Sequence, residues 1–160
     1  MMRKTLILAL ICAPALSLAQ APKDDLVDAA IVDACFTEAR RGGIDPECIG
    51  FAADICQSRP GQANTVGISF CIMAEVAEWD RILNREYTAT RDAFAGFTDG
   101  PVLTDTLLTA QRAWIALRDA DCSVAYDRWG GGSMRNIASA HCQLDHTARR
   151  ALDLKNMRDN

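Results

Sequence analysis

The chain has 160 residues, of which 49% are hydrophobic and 24% are charged, a composition that suits one globular domain with its own core. Only 6% of the residues are aromatic, so we expect aliphatic helix packing rather than an aromatic-rich sheet. The formal charge of −4 argues against a general nucleic-acid binder and against an anionic lipid surface as the main partner. Two histidines leave few groups for acid–base chemistry or metal ligation.

The first residues have the three parts of a secretory signal peptide. Residues 1–4 give a basic start, residues 6–18 are apolar, and the small residues Ser17 and Ala19 occupy the −3 and −1 positions. We expect cleavage after Ala19 and a periplasmic or secreted protein. The apolar run is shorter than the roughly 20 residues of a membrane span. Cys12 lies in this run without the small preceding residue that a lipoprotein anchor prefers.

Six cysteines follow the predicted cleavage site, and an even number in an exported chain predicts disulfides rather than a metal site. No Cys-x-x-Cys pair is present, which disfavours a zinc knuckle and a thioredoxin-type redox centre. Many pairings of six cysteines exist, and we favour bridges between nearest neighbours in sequence. The favoured pairs are Cys35 with Cys48, Cys56 with Cys71, and Cys122 with Cys142.

The spacing of apolar residues predicts helices, and no segment alternates for long enough to indicate a strand. We therefore expect an all-α fold, a small disulfide-stabilised bundle of four to five helices. The predicted helices cover residues 24–41, 47–57, 66–95 and 103–128, and a last one begins after Ser133, a natural N-cap residue. This order suggests a signal peptide at 1–19, a cysteine-containing helical lead segment at 20–65 and a helical domain at 66–157.

Two of the predicted helices carry apolar residues whose burial can be predicted. On the helix at 103–128 we expect the core to include Leu107, Trp114, Ile115 and Leu117. The last helix has six residues on one stripe, namely Met134, Ile137, His141, Leu144, Ala148 and Leu152.

Three blocks of sequence follow one another in the C-terminal two-thirds of the chain. They are Cys71 with Trp79-Asp80-x-x-Leu83-Asn84-x-x-Tyr87, then the segment from Leu107 to Cys122 with Gln111-Arg-Ala-Trp114 and Arg118-Asp119, then Gly131-Gly132-Ser133 with Cys142, Thr147, Arg149 and Arg150. Over about residues 70–155 the chain resembles the LprI-like lysozyme-inhibitor domain of bacterial envelope proteins. The resemblance implies an exported helical protein that binds a lysozyme and is not an enzyme. We expect neither a cofactor nor a metal.

The motif positions of this resemblance combine polar and apolar residues at helical spacing: Asp80, Leu83, Asn84, Tyr87, Gln111, Trp114, Arg118 and Asp119. Polar groups on apolar stripes are expected to be partly buried and hydrogen-bonded. We interpret them as structural, with Arg118 paired to Asp80 or Asp119, and with Asn84 and Gln111 hydrogen-bonded across the helix interface. A buried pair of this kind predicts a loss of about 3 kcal/mol on Arg118→Ala.

Two catalytic interpretations are less favoured than the structural one. A carboxylate hydrolase would need Asp80 and Asp119 to face one cleft, and nothing in the spacing requires that. The segment His141-Cys142-x-x-x-His146 could suggest a metal site or a Cys/His nucleophile pair. A bridged Cys142 serves neither, and we interpret His141 as a core or boundary histidine.

The glycine-rich segment before the last helix is predicted to be a loop. No strand precedes its three glycines and no Gly-Lys-Ser follows, so a phosphate-binding loop is disfavoured. In a purely structural interpretation, the segment is a flexible linker between two helices joined by the 122–142 bridge. An inhibitor could instead use it as a preorganised loop that enters an enzyme cleft. The residues that it would present are Arg128, Trp129, Ser133 and Arg135.

Three functions are compatible with the sequence. An envelope protein that blocks a cationic lysozyme is favoured by the resemblance, by export and by acidity, since the signal peptide contains two of the 17 basic residues and no acidic one. A non-inhibitory envelope accessory module with another partner is the alternative, and only an assay against lysozyme separates the two. A hydrolytic enzyme is the least favoured, because no recognisable pair of acids or activated nucleophile is present.

Overall fold

A computed structural model describes residues 26–40, 46–97 and 102–158 of the chain. These ranges contain helices α1 (Ala29–Glu38), α2 (Phe51–Gln57), α3 (Thr65–Ala95), α4 (Leu103–Asp127) and α5 (Met134–Arg158). No strand occurs in the described ranges, so the predicted all-α fold is confirmed. The predicted signal peptide lies outside them. Nor does any described helix combine the length and apolar character that crossing a bilayer requires.

The helix boundaries follow from local capping and backbone conformation. Asp28 caps α1 by accepting a hydrogen bond from the Ala30 amide at 2.9 Å, and Asn64 caps α3 in the same way. Helix α2 begins four residues later than predicted, because residues 47–50 form a turn that ends at Gly50 with φ +96°. Ser133 precedes α5 as predicted, although its hydroxyl makes no capping bond to a described residue.

Three long helices form the body of the fold. Helices α3 and α5 pack closely against each other, whereas α4 packs mainly on α5 and less on α3. Helices α1 and α2 lie against α3. The centre of the core consists of large side chains with almost no exposed surface, among them Ile72, Trp79, Ile82, Leu144 and Leu154. Apolar burial on this scale is the main source of stability in such a bundle.

All three predicted disulfides are confirmed. Their Cα–Cα distances are 5.7 Å for Cys35–Cys48, 5.6 Å for Cys56–Cys71 and 5.4 Å for Cys122–Cys142. The first two join α1 to the turn before α2 and α2 to α3, and the third joins α4 to α5. Each closes a loop of a size that contributes about 3 kcal/mol by restricting the unfolded chain.

A buried carboxylate holds α2 on α3. Glu75 is 1% exposed, and its Oε1 accepts hydrogen bonds from the Gly50 amide at 2.7 Å and from Trp79 Nε1 at 3.1 Å. Its Oε2 accepts one from the Ala53 amide at 2.7 Å. Amides in the first turn of a helix have no partner within the helix, so Glu75 supplies from α3 the acceptor that α2 lacks.

Candidate functional site

The motif residues on α4 make structural contacts with one another and with α5. Arg118 donates to Asp119 Oδ1 from Nη2 at 2.8 Å and from Nε at 3.0 Å, which selects Asp119 over Asp80 as its partner. The Arg118 guanidinium also lies 5.0 Å from the centre of the Trp114 ring. Gln111 is 9% exposed and accepts a hydrogen bond from Arg150 Nε at 2.9 Å, which links α4 to α5.

The motif residues on α3 divide into a buried and an exposed set. Leu83 is 2% exposed, and Tyr87 is half-buried against the core. Asp80 and Asn84 are exposed, and Asn84 Nδ2 donates to Asp80 Oδ2 at 2.9 Å within the same helix. The prediction that Asn84 bonds across a helix interface is therefore wrong, because a nearer acceptor lies one turn away on its own helix.

Helix α4 is an outer helix, which changes the burial predicted for it. Leu107 is 4% exposed and Trp114 packs against the core, as predicted, but Ile115 and Leu117 are 40% and 55% exposed. These two predictions are wrong, because α5 covers one side of α4 and no described helix covers the outer side. Val124 adds a further exposed apolar side chain, at 61%.

The residues considered for metal or nucleophile chemistry are committed to other contacts. One ligand atom each from Cys122, Cys142 and His146 lies within 4.8 Å of the others, but both sulfur atoms belong to the disulfide and offer no thiolate. His146 Nε2 lies 3.2 Å from Asp121 Oδ2. His141 is exposed rather than in the core or at its boundary, so its predicted placement is wrong.

The loop between α4 and α5 presents an aromatic side chain on a braced turn. Trp129 is 51% exposed and Arg128 is also exposed. Gly130 has φ +52°, a conformation that favours glycine. The Arg135 guanidinium lies 4.9 Å from the centre of the Tyr126 ring, and Arg135 Nη1 is 3.5 Å from the Gly130 carbonyl oxygen. The Arg135–Tyr126 contact links the two ends of the loop, and the Cys122–Cys142 bridge joins the two helices that flank it.

A groove adjoins this loop. It consists of two neighbouring cavities of about 300 and 230 Å³ that share Tyr126, Ser139 and Gln143 in their walls. The first is completed on α4 by Asp119 and Asp127 among others. The second is completed mainly from α3.

The groove was not predicted from the sequence. A signal was present in the polar residues Asn136, Ser139 and Gln143, which recur at helical spacing beside the apolar stripe of α5. That signal does not tell whether solvent or another helix faces the polar stripe.

Comparisons with known proteins connect this geometry to a family. A family model described as lysozyme inhibitor LprI matches residues 56–154. An uncharacterized protein of Rhizobium meliloti (strain 1021) is 36% identical over 56 residues, which are 35% of this chain and 40% of the relative. The match thus spans about two fifths of the length of that curated relative. No solved structure matches the chain.

Proposed function

This chain belongs to the lysozyme inhibitor LprI family, and we propose that it is an exported protein that binds a lysozyme and blocks its action on the bacterial cell wall. The observation that carries the proposal is the exposed Trp129 on a loop held by the Cys122–Cys142 bridge and by the Arg135–Tyr126 contact. An exposed Trp on a short, restrained loop is the kind of residue that anchors protein interfaces.

The loop suits a lysozyme cleft on chemical grounds. A lysozyme hydrolyses its substrate with two carboxyl groups in one cleft, and the loop offers an exposed guanidinium at Arg128 and a hydroxyl at Ser133. Trp129 would cover apolar surface of the cleft and exclude water from the contact. Because the loop is restrained before binding, little conformational entropy is lost when the complex forms.

Export is part of the proposal and is supported independently of the loop. Three disulfides are typical of chains that fold in an oxidising compartment, and the N-terminal sequence has the pattern of a signal peptide. We therefore propose a periplasmic or secreted location. The division at residue 66 into a helical lead segment and a helical domain remains a proposal too, and residues of α1 and α2 share one hydrophobic core with α3 and α5.

The contacts of the acidic motif residues favour a binding protein over a hydrolase. Asp119 accepts two hydrogen bonds from Arg118, and Asp80 accepts one from Asn84. A hydrolase of this kind needs two carboxyl groups that face one cleft, whereas Asp80 and Asp119 are exposed and each is bonded to a neighbour on its own helix.

A wall-lysis assay tests the proposal. Oxidised protein from Gln20 onward is titrated against a cationic lysozyme acting on bacterial cell walls, at low salt and at about 0.15 M salt. We expect inhibition that saturates near one-to-one at both salt concentrations. Trp129→Ala should weaken inhibition by about tenfold or more, as for a central anchor residue.

Phe51→Ala is the matched control, because Phe51 is 53% exposed, close to the 51% of Trp129, and belongs to α2. It should inhibit like the parent. Unchanged potency of Trp129→Ala would exclude the loop as the blocking element. A parent protein without effect on any lysozyme would overturn the proposed inhibition.

A second candidate function is a non-inhibitory accessory module that docks on another envelope protein. The exposed apolar side chains on the outer side of α4, Leu117 and Val124, favour it, because they lie two turns apart on one face and exposed apolar groups on one face commonly mark an interface. Binding of an envelope protein that is lost in Leu117→Ser but kept in Trp129→Ala would support this module over the inhibitor.

A further inference from the structure

We propose that the groove beside the loop is a second contact surface for the same cationic partner, taking a basic side chain at one end and an apolar side chain at the other. This inference rests on the proposed function, since it assumes that the partner is a lysozyme. The residues that define the groove, hereafter the α5 groove, are Asp119, Tyr126 and Asp127 on α4, Gln143 on α5, and Phe70 and Met73 on α3.

The α5 groove exists because α4 leaves part of α5 uncovered. Helices α3 and α4 both contact α5 but pack less against each other, so a strip of α5 that contains Ser139 and Gln143 forms the floor between them. Both residues line both cavities, and so does Tyr126, which makes the two cavities one continuous surface. Two neighbouring side chains of one partner could therefore occupy the two ends of the groove at the same time.

The α4 end of the groove is acidic. Asp127 is exposed, and its carboxylate makes no hydrogen bond or ion pair with any residue in the described ranges. Asp119 lies two turns earlier on the same helix and shares its charge with Arg118. Asp127 is thus the main carboxylate available to a partner. A lysine or arginine placed there would gain an ion pair with the Asp127 carboxylate.

The α3 end of the groove is apolar and open. Phe70 is 59% exposed and Met73 is 38% exposed, and they lie on one face of α3 with Val66, which is 58% exposed. Three apolar side chains exposed on successive turns form the kind of patch that marks an interaction site. Methionine adapts to differently shaped partners because its side chain is flexible and polarizable.

The groove is also continuous with the proposed blocking loop. Tyr126 lines both cavities, and the Arg135 guanidinium that braces the loop lies 4.9 Å from the centre of its ring. A partner that contacts Trp129 would therefore meet the α4 end of the groove next. The negative charge at the α4 end favours a basic partner such as a cationic lysozyme and repels an acidic one.

The two ends predict different responses to salt when binding of a fluorescently labelled cationic lysozyme is measured. Asp127→Asn should weaken binding by about fivefold at low salt and by less at about 0.15 M salt, because exposed charge pairs are screened. Phe70→Ala should weaken binding by about tenfold at both salt concentrations, because apolar burial is not screened.

Matched controls separate local contact from general charge and exposure. Asp145→Asn removes the same charge from an exposed α5 residue that does not line the groove, and Phe51→Ala removes an equally exposed phenylalanine from α2. Both should bind within about twofold of the parent. If Asp127→Asn and Asp145→Asn lose equal binding affinity, the carboxylates act only through long-range attraction, and the proposal is overturned. Normal binding by Phe70→Ala would overturn it as well.

Comparing binding with lysis distinguishes failure of the groove from failure of the proposed function. If the parent inhibits lysis and the groove variants bind normally, the groove proposal is wrong and the inhibitor proposal stands. If the parent binds but does not inhibit, and the groove variants bind weakly, the groove stands and inhibition fails. Carbodiimide cross-linking gives an independent readout, since it should join Asp127 to a lysozyme lysine and leave Asp145 unlinked.

Discussion

Two regions of the molecule use the same residue types in opposite ways: the α1–α2 region, which is α1, α2 and the part of α3 that they cover, and the α4 region, which is α4 and the loop that follows it. In the α1–α2 region Trp79 has no exposed surface, packs edge-on against Phe36 and donates to the buried Glu75. In the α4 region Trp129 is half-exposed, and the Asp127 carboxylate has no hydrogen bond or ion pair in the described ranges. Side chains that satisfy one another contribute to stability, whereas exposed and unsatisfied ones are available to a partner.

Replacing the two tryptophans is the strongest test of this contrast. Trp79→Ala should lower the free energy of unfolding by about 3–5 kcal/mol, because it opens a large cavity and removes a donor from Glu75. Trp129→Ala should change it by less than about 0.5 kcal/mol, as is usual for an exposed position. Urea denaturation of the oxidised proteins measures both values. A similar loss in the two variants would show that the loop is part of the core and would end the contrast.

The sequence predicted the parts of the fold that depend on short-range pattern. The helical period located both ends of α3 and α4 to within one residue and the start of α5, because each carries a long apolar stripe that begins after a break. Nearest-neighbour pairing of the cysteines was also correct, since each pair lies on elements that follow one another in the chain. Helices α1 and α2 were less accurate: α1 spans Ala29–Glu38 and not 24–41, since Asp28 caps its start, and the left-handed Gly50 lies inside the segment predicted to be helical at 47–57.

The contacts that the sequence could not predict are those between distant buried polar groups. From the sequence alone, a glutamate such as Glu75 is expected on the surface of a helix. Only the position of α2 shows that its carboxylate accepts hydrogen bonds from the Gly50 and Ala53 amides. Lys155 Nζ donates to the carbonyl oxygen of Phe36 at 2.9 Å, across 119 residues, and so fixes the end of α1 to α5. Burial on α4 was mispredicted for a related reason, because periodicity does not tell which side a neighbouring helix covers.

The hydrogen bond between Gln111 and Arg150 is a buried polar contact within the otherwise exposed α4 region, so it tests whether α4 is also held by polar contacts. Arg150 is 7% exposed, burial lowers the pKa of its guanidinium, and its Nη2 lacks a hydrogen-bond partner among the described residues. Gln111→Leu would also leave Nε unbonded, so we expect a loss of about 2 kcal/mol in unfolding free energy. The double variant Gln111→Leu/Arg150→Met should come close to the parent, because replacing both partners removes the buried guanidinium whose Nε had lost its acceptor.

Chemical denaturation of the two single variants and the double variant completes a mutant cycle for this link. Arg112→Met is the control for loss of an arginine, since Arg112 is exposed on the same helix. It should unfold like the parent. If the losses of the two single variants simply add in the double variant, the two residues are not coupled and the link does not hold α4 on α5.

Arg118→Ala is expected to have the smallest effect among the motif residues tested. The sequence suggested a buried pair and a loss of about 3 kcal/mol, but the Asp119 side chain is 61% exposed and that of Arg118 is 23% exposed. An ion pair open to solvent contributes little, and the contact with Trp114 adds only a fraction of a kcal/mol at such a site. We therefore expect a loss below about 1 kcal/mol, measured by thermal unfolding at low and high salt. A loss of unfolding free energy as large as that of Trp79→Ala would mean that polar residues hold α4 as firmly as they hold α2. The α4 region would then contribute mainly to stability and would not be a surface available for binding.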